Sequence, residues 1–284
     1  MGKGRIALLL AALALLLPAS AQAADHYVAL GDSYAAGPII PVQIPPFGCL
    51  KSSNNYGHLA ASRLGASDYR DATCSGAKTN HMTSPQNVDP DGPNPPQFDS
   101  LAVSTKVVSI NIGGNDIGFS SIAEDCFSQD NTGTPCQDKY VTANGDEISQ
   151  RIQRTAPKID AVIDGIHSRS PKARILFLNY AAILPDSGPG CWPIVPISDG
   201  DVPYVRAKEK ELNQMLADRV AAGQARGIDV HLVDWYTASI GHDACQPPLI
   251  KWVEGAVVTN AAAPLHPNLL GMLGAADLVV AARG

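Results

Sequence analysis

Five short apolar runs, rich in β-branched residues and kept apart by stretches of helical periodicity, limit the folds open to this chain more than any other feature. They are Tyr27 to Leu30, a weaker run near Tyr69 to Thr73, Val107 to Ile112, Ile175 to Leu178 and Val230 to Val233. Runs this short and continuous fit strands covered on both faces, and strands that alternate with helices build a parallel sheet. Between the third and fourth runs, Ile148, Ile152, Ile159, Val162, Ile163 and Ile166 recur at helical spacing, with Pro157 predicting a kink. Val205, Leu212, Leu216 and Val220 mark a second helix, predicted to start after Pro203 and to end near Gly227, and a last helix is predicted after Pro267. The expected fold is a three-layer α/β/α domain of flavodoxin-like type with a mostly parallel five-stranded sheet and no internal repeat.

The first 23 residues read as a secretory signal: Lys3 and Arg5, the apolar stretch Ile6 to Leu17, then Ala21-Gln22-Ala23 as a small-residue cleavage site. Residues 24–284 are then expected to form one exported domain with no integral membrane segment, since a spanning helix needs about 20 apolar residues. Removal of Lys3 and Arg5 leaves 19 basic against 27 acidic residues, a net charge of −8. Such a balance, without a basic run, excludes a nucleic-acid footprint and leaves apolar contact as the route to any lipid. All six cysteines (Cys49, Cys74, Cys126, Cys136, Cys191, Cys245) fall in the exported part, where an even count implies disulfides. Many pairings are formally open. The order of elements favours sequence neighbours: Cys49 with Cys74, Cys126 with Cys136 and Cys191 with Cys245. No pair has the close spacing of a zinc or redox site, so neither metal nor cofactor is expected. The proline-rich stretches 38–48, 85–96 and 185–203 are read as long loops rather than strands, because proline cannot donate to a ladder. The bridges fall in connections leaving the carboxyl ends of strands, where they would staple the rim on which ligands bind.

Gly31-Asp32-Ser33-Tyr34 follows the first apolar run, and far downstream lie Gly113-Gly114-Asn115-Asp116 and His266-Pro267-Asn268. A serine at the carboxyl end of a buried strand holds its hydroxyl at the edge of an α/β sheet, and a histidine supplies the base it needs. On these residues, together with Cys74-Ser75-Gly76-Ala77, the chain resembles the GDSL or SGNH hydrolases, from about Tyr27 to the C-terminus. It is most similar to their secreted, disulfide-bonded actinobacterial lipases, esterases and phospholipases. The resemblance implies a serine esterase with Ser33 as nucleophile and His266 as base. It also implies an oxyanion hole from the Ser33 and Gly76 N–H groups and the Asn115 amide, with Gly76 sparing the substrate a crowding side chain. Many members carry an aspartate three residues before the histidine; here that residue is Ala263. The resemblance allows a main-chain carbonyl of Ala263 or Pro264 in its place, and a carboxylate from Asp243 or Glu254 stays open.

Asp32 and Asp116 are read as a cap and a loop tie rather than catalytic groups. The other six histidines (His26, His58, His81, His167, His231 and His242) are read as ordinary polar or packing residues. Ile39, Ile40, Val42, Ile44 and Phe47, with Trp192, Ile194, Val195 and Ile197, are the expected apolar wall for an acyl chain. Ordinary loop packing accounts for the same residues. The expected substrate is therefore a small-molecule or lipid ester, handled by a monomer. The competing readings are a carbohydrate deacetylase and a catalytically silent binding module on the same scaffold.

Overall fold

The computed structural model describes residues 26–283; the predicted leader, residues 1–23, lies outside them. The five apolar runs become strands β1 (His26–Gly31), β2 (Asp68–Asp71), β3 (Val107–Asn111), β4 (Arg174–Leu178) and β5 (Val230–Val233). All pair in parallel, in the spatial order β5-β4-β3-β1-β2. That order reverses between β1 and β3, and in open α/β sheets the crevice at such a switch point is where ligands bind. The register fixes what meets there: Gly31, the last residue of β1, pairs with Asn111, the last of β3.

Burial explains how clearly each strand can be read. Every residue of β1 and of β3 is buried. The weak run became the edge strand β2, which alternates exposed and half-buried residues and carries Asp68 and Arg70. A charged edge of this kind also resists pairing with other chains.

The helices are α1 (Ser33–Ala36), α2 (Tyr56–Leu64), α3 (Gly114–Ile117), α4 (Phe119–Cys126), α5 (Pro135–Tyr140), α6 (Glu147–Arg169), α7 (Val202–Ala225), α8 (Trp235–Ala238) and α9 (Leu269–Arg283). The long pair α6 and α7 packs together on one face, and α2 with α9 covers the other. Right-handed crossovers impose this split once the strand order reverses. The buried side of α6 is Ile148, Ile152, Thr155, Ile159, Val162, Ile163 and Ile166, the six apolar positions read from periodicity with one threonine added. This helix runs past Pro157 without a break. Helix α7 begins one residue before Pro203, which sits in the first turn, where its missing N–H costs nothing.

The three disulfides join Cys49 to Cys74, Cys126 to Cys136 and Cys191 to Cys245, the pairing of sequence neighbours. One loop reading is corrected. The proline-rich stretches do contain ladders, at Gln43–Ile44 against Lys51–Ser52 and at Gln86–Val88 against Gly92–Asn94. The second holds Pro93, opposite Asn87. A two-stranded antiparallel ribbon has free edges, so a proline fits at a position whose N–H side faces away from its partner.

Candidate active site

Strand β1 delivers Ser33 to the switch point through a sharp turn. Gly31 has φ +139°, and a Cβ there would sit 2.5 Å from the Asn111 carbonyl oxygen, so only glycine lets the two strand ends lie side by side. Gln97 clamps the turn by accepting from the Gly31 N–H at 2.7 Å and donating to its carbonyl at 2.9 Å. Asp32 then caps α1, its Oδ1 accepting from the Tyr34 N–H at 3.0 Å, which is the role read for it. The other oxygen of Asp32 accepts from the Tyr180 hydroxyl at 2.5 Å, and that hydroxyl accepts from the Gly114 N–H at 2.7 Å. One buried carboxyl thus ties the serine turn to the Gly113-Gly114-Asn115 turn. Its burial pushes the Asp32 pKa up to about 7, against the pull of the bonds from Tyr180 and Tyr34.

His266 arrives from the other side, on a loop ahead of α9. Its Nε2 lies 2.7 Å from Ser33 Oγ, and its Nδ1 lies 2.8 Å from the Pro264 carbonyl oxygen. A carbonyl can only accept, so Nδ1 carries the proton and Nε2 presents a lone pair to the serine hydroxyl. Burial lowers the His266 pKa, partly offset by the bond to Pro264, which keeps the ring neutral at neutral pH. The two carboxylates left open by the sequence are engaged elsewhere. Asp243 accepts from the Cys245 N–H at 3.0 Å and from Gln246 at 3.1 Å. Burial alone would raise the Glu254 pKa, but bonds from Asn268, Thr259 and Asn260 and the charge of Lys251 pull it down to about 2.

The loop itself is held by main-chain ties. The Tyr34 hydroxyl donates to the Leu265 carbonyl at 2.7 Å, the Glu254 N–H donates to the His266 carbonyl at 3.0 Å, and Ala263 N–H donates to the Pro38 carbonyl at 3.1 Å. Tyr34 also lies against the imidazole, with ring centroids 5.2 Å apart. None of these partners carries a sequence signal, apart from the place of Tyr34 beside the serine.

The other two motif residues lie on adjoining turns. The Asn115 side-chain amide donates to the Ala77 carbonyl at 2.9 Å, which fixes its orientation and leaves its second N–H without a partner among the described residues. Among the described residues, the Ser33 and Gly76 N–H groups donate to no other partner. Gly76 has φ +77°, a backbone conformation that favours glycine, and an added Cβ would meet only the Gln86 amide among protein atoms, at an ordinary 3.5 Å. The Cys49–Cys74 bridge and the Cys74 N–H, which donates to the Gly31 carbonyl at 3.1 Å, tie this turn to the end of β1. Asp116 holds the loop as read, accepting from the Thr79 N–H at 2.9 Å and hydroxyl at 2.6 Å and pairing with Lys158.

An apolar cavity opens beside Ser33 and His266, and its walls are not those expected. Only Val195 and Ile197 of the two expected loops line it. Of the early loop, Ile40 is buried in the core while Ile39, Val42 and Phe47 face solvent. The walls are instead Phe119, Ile122 and Ala123 of α4, Ile183 and Leu184 after β4, and Val205 and Leu212 of α7. The spacing Phe119, Ile122, Ala123, Cys126 is helical, so a short apolar face was legible there. Nothing in the sequence says that it turns towards the serine. The Cys126–Cys136 bridge braces this wall by joining α4 to α5. Glu209 stands in the same wall with Oε1 accepting from the Ile183 N–H at 2.7 Å, and its burial pushes the pKa up to about 8. It therefore presents a neutral carboxyl at neutral pH, which suits an apolar cavity.

The remaining histidines make local contacts. His58 sits between Asn55 and Asp71, His81 accepts from the Lys78 N–H, His231 meets Asp229, and His242 stacks on Trp252. Among the described residues, no cluster of three or more His, Cys, Asp or Glu is placed to hold a metal ion, and no helix is long and apolar enough to cross a membrane.

Comparison with known proteins fits this geometry. Residues 29–272 match the GDSL-like Lipase/Acylhydrolase family. The chain is 37% identical to Lipase 2 of Streptomyces coelicolor over 261 residues, covering 89% of this chain and 84% of that one. Its fold is similar to the crystal structures of phospholipase A1 from Streptomyces albidoflavus NA297 and of an extracellular lipase from Streptomyces rimosus. The TM-scores are 0.74 and 0.73; each is 25% identical and matched over 92% of this chain and all of that chain.

Proposed function

The chain belongs to the GDSL-like lipase/acylhydrolase family and is an ester hydrolase, and from that premise we propose a secreted lipase or esterase that works through an acyl-enzyme on Ser33. Ser33 Oγ attacks the ester carbonyl carbon as His266 Nε2 takes its proton. The oxyanion that forms is met by the Ser33 and Gly76 N–H groups and the free N–H of Asn115. Collapse expels the alcohol, protonated by His266, and leaves the acyl group on Ser33. Water, activated by the same nitrogen, then releases the acid. The Pro264 carbonyl keeps the ring in the required tautomer in place of a carboxylate.

The single observation that carries this reading is the 2.7 Å approach of Ser33 Oγ to His266 Nε2 across 233 positions of sequence. The apolar cavity favours an acyl chain over a sugar, since each buried methylene contributes about 0.8 kcal/mol. Secretion is supported by the leader pattern and the three bridges, and one structural relative is an extracellular lipase.

Labelling of oxidised, purified protein with a fluorophosphonate, followed by peptide mapping, is expected to modify Ser33 alone. A chain-length series of p-nitrophenyl esters is expected to show kcat/KM rising from acetate to medium acyl chains. Labelling at another residue would remove the mechanism. A preference for acetate would remove the fatty-acyl substrate and favour a deacetylase.

A further inference from the structure

We propose that the loops around the His266 mouth form a charge-poor docking face for an uncharged or zwitterionic lipid surface, a proposal that rests on the lipase or esterase reading above. Residues 33–50, 187–198 and 244–276 contain two charged side chains in all, Lys251 and Glu254, besides His266. Both are buried and face each other at 3.4 Å. Over the same stretches apolar side chains are turned outwards: Leu249 is 89% exposed, Val42 66%, Val257 58% and Ile39 53%, with Ile250 and Val258 also open to solvent. Charged groups inside and aliphatic groups outside reverse the ordinary arrangement of a protein surface, and exposed apolar patches mark interaction sites.

The stretches come together in space around the site. Ala263 N–H donates to the Pro38 carbonyl at 3.1 Å, Ala256 N–H to the Ile194 carbonyl at 2.9 Å, and the Asn260 amide to the Pro248 carbonyl at 3.0 Å. The Cys191–Cys245 bridge joins two of them covalently, and the Glu254 N–H links the assembly to the His266 carbonyl. Main-chain bonds of this kind present the aliphatic side chains on a fixed rim, so little ordering is needed on docking.

The occupant follows from charge and continuity. A chain of net charge −8 is repelled by an anionic surface, and a face whose bordering charges are Asp91, on the Gly48 N–H, and Arg206, on the Gly188 carbonyl, gains little from either sign. It gains from burial of aliphatic side chains, and the rim surrounds the imidazole whose serine partner lines the apolar cavity. An uncharged or zwitterionic lipid surface meets both conditions: it offers acyl chains to the cavity and no charge to the rim.

The test uses the full exported chain carrying Ser33→Ala, which cannot consume lipid, mixed with phosphatidylcholine vesicles and separated by flotation. The protein is expected to float with the vesicles, and Leu249→Asp with Val257→Asp in the same chain is expected to weaken the partition by about tenfold or more. In the chain that retains Ser33, the same two substitutions are expected to leave turnover of the water-soluble p-nitrophenyl acetate unchanged, which also shows that they fold. Equal flotation of parent and variant, or no flotation of the parent, would overturn the proposal. A parent that is dimeric by sedimentation and becomes monomeric in the variant would overturn it in favour of a second copy on this face. Absence of soluble-ester turnover in the chain that retains Ser33 and carries no other substitution would instead strike the catalytic reading, which vesicle binding does not measure.

Discussion

Ser33 and His266 reach one hydrogen bond from two unlike regions of the molecule. The serine is carried by β1, buried throughout and flanked by parallel partners, so the apolar run Tyr27 to Leu30 sets its place. The histidine is carried by a loop with no helix or strand of its own between α8 and α9. Its place is set by single contacts: Tyr34 to the Leu265 carbonyl, the Glu254 N–H to the His266 carbonyl, and Pro264 to the ring. Ser33 is held by the packing of β1 together with the Gln97 and Asp32 ties at its turn, which are redundant, and His266 by a few directional bonds, which are not. Changes near His266 should therefore separate positioning from stability more readily than changes near Ser33.

The largest expected effect tests whether the two regions act as one device. Ser33→Ala, His266→Ala and the double variant are each expected to lower kcat by about 10³-fold or more, to nearly the same residual rate, because members of a catalytic unit are not additive. A double variant whose loss is the product of the single losses would show that the hydrogen bond is not the working contact.

Next in size is Glu254→Ala, which leaves Lys251 buried without its partner and removes the acceptor for Asn268, Thr259 and Asn260. It is expected to cost about 3 to 5 kcal/mol of stability, read from denaturant unfolding. A change near zero would mean that the loop is not organised around this carboxylate.

Tyr34→Phe is a smaller perturbation. It keeps the ring against the imidazole but deletes the bond to the Leu265 carbonyl, at an expected cost of about 1 kcal/mol in stability. Because the bond positions the loop, kcat is expected to fall while KM for a soluble ester stays level. A change in KM alone would assign Tyr34 to substrate binding.

The smallest effect is in the pH profile. A neutral imidazole is the form the proposed reaction needs and burial lowers its pKa, so the midpoint of the acid-side fall in kcat/KM is expected below the ordinary imidazole value. Asp32 titrates at about 7 in the same region, so Asp32→Asn, measured alongside, separates the two groups. A midpoint above 6.5 in both proteins would contradict a buried, neutral imidazole.

The same contrast explains what could be read from the chain. Strands β1, β3 and β4 announce themselves because a strand covered on both faces is apolar along most of its length, while the edge strand β5 keeps Val230, Leu232 and Val233 around a half-buried His231. The bridges followed from element order, since neighbouring loops leave the same edge of a parallel sheet. The cavity wall was misplaced because Ile39 and Val42 have the same composition as Phe119 and Ile122, and composition carries no direction. Ile39 and Val42 point to solvent and the α4 residues to the serine, a difference made by how the loop and the helix pack.

The sequence by itself determined the parallel sheet, the order of its helices, the family and the residues that meet at the site, because burial periodicity and motif chemistry are written locally along the chain. Only the tertiary structure decided that the Pro264 carbonyl, and neither Asp243 nor Glu254, holds the His266 ring, and that α4 rather than the early proline-rich loop walls the cavity. A main-chain carbonyl is present at every residue and a carboxylate can pair with many donors, so which of them faces an imidazole depends on the path of the backbone, and no local pattern encodes that path.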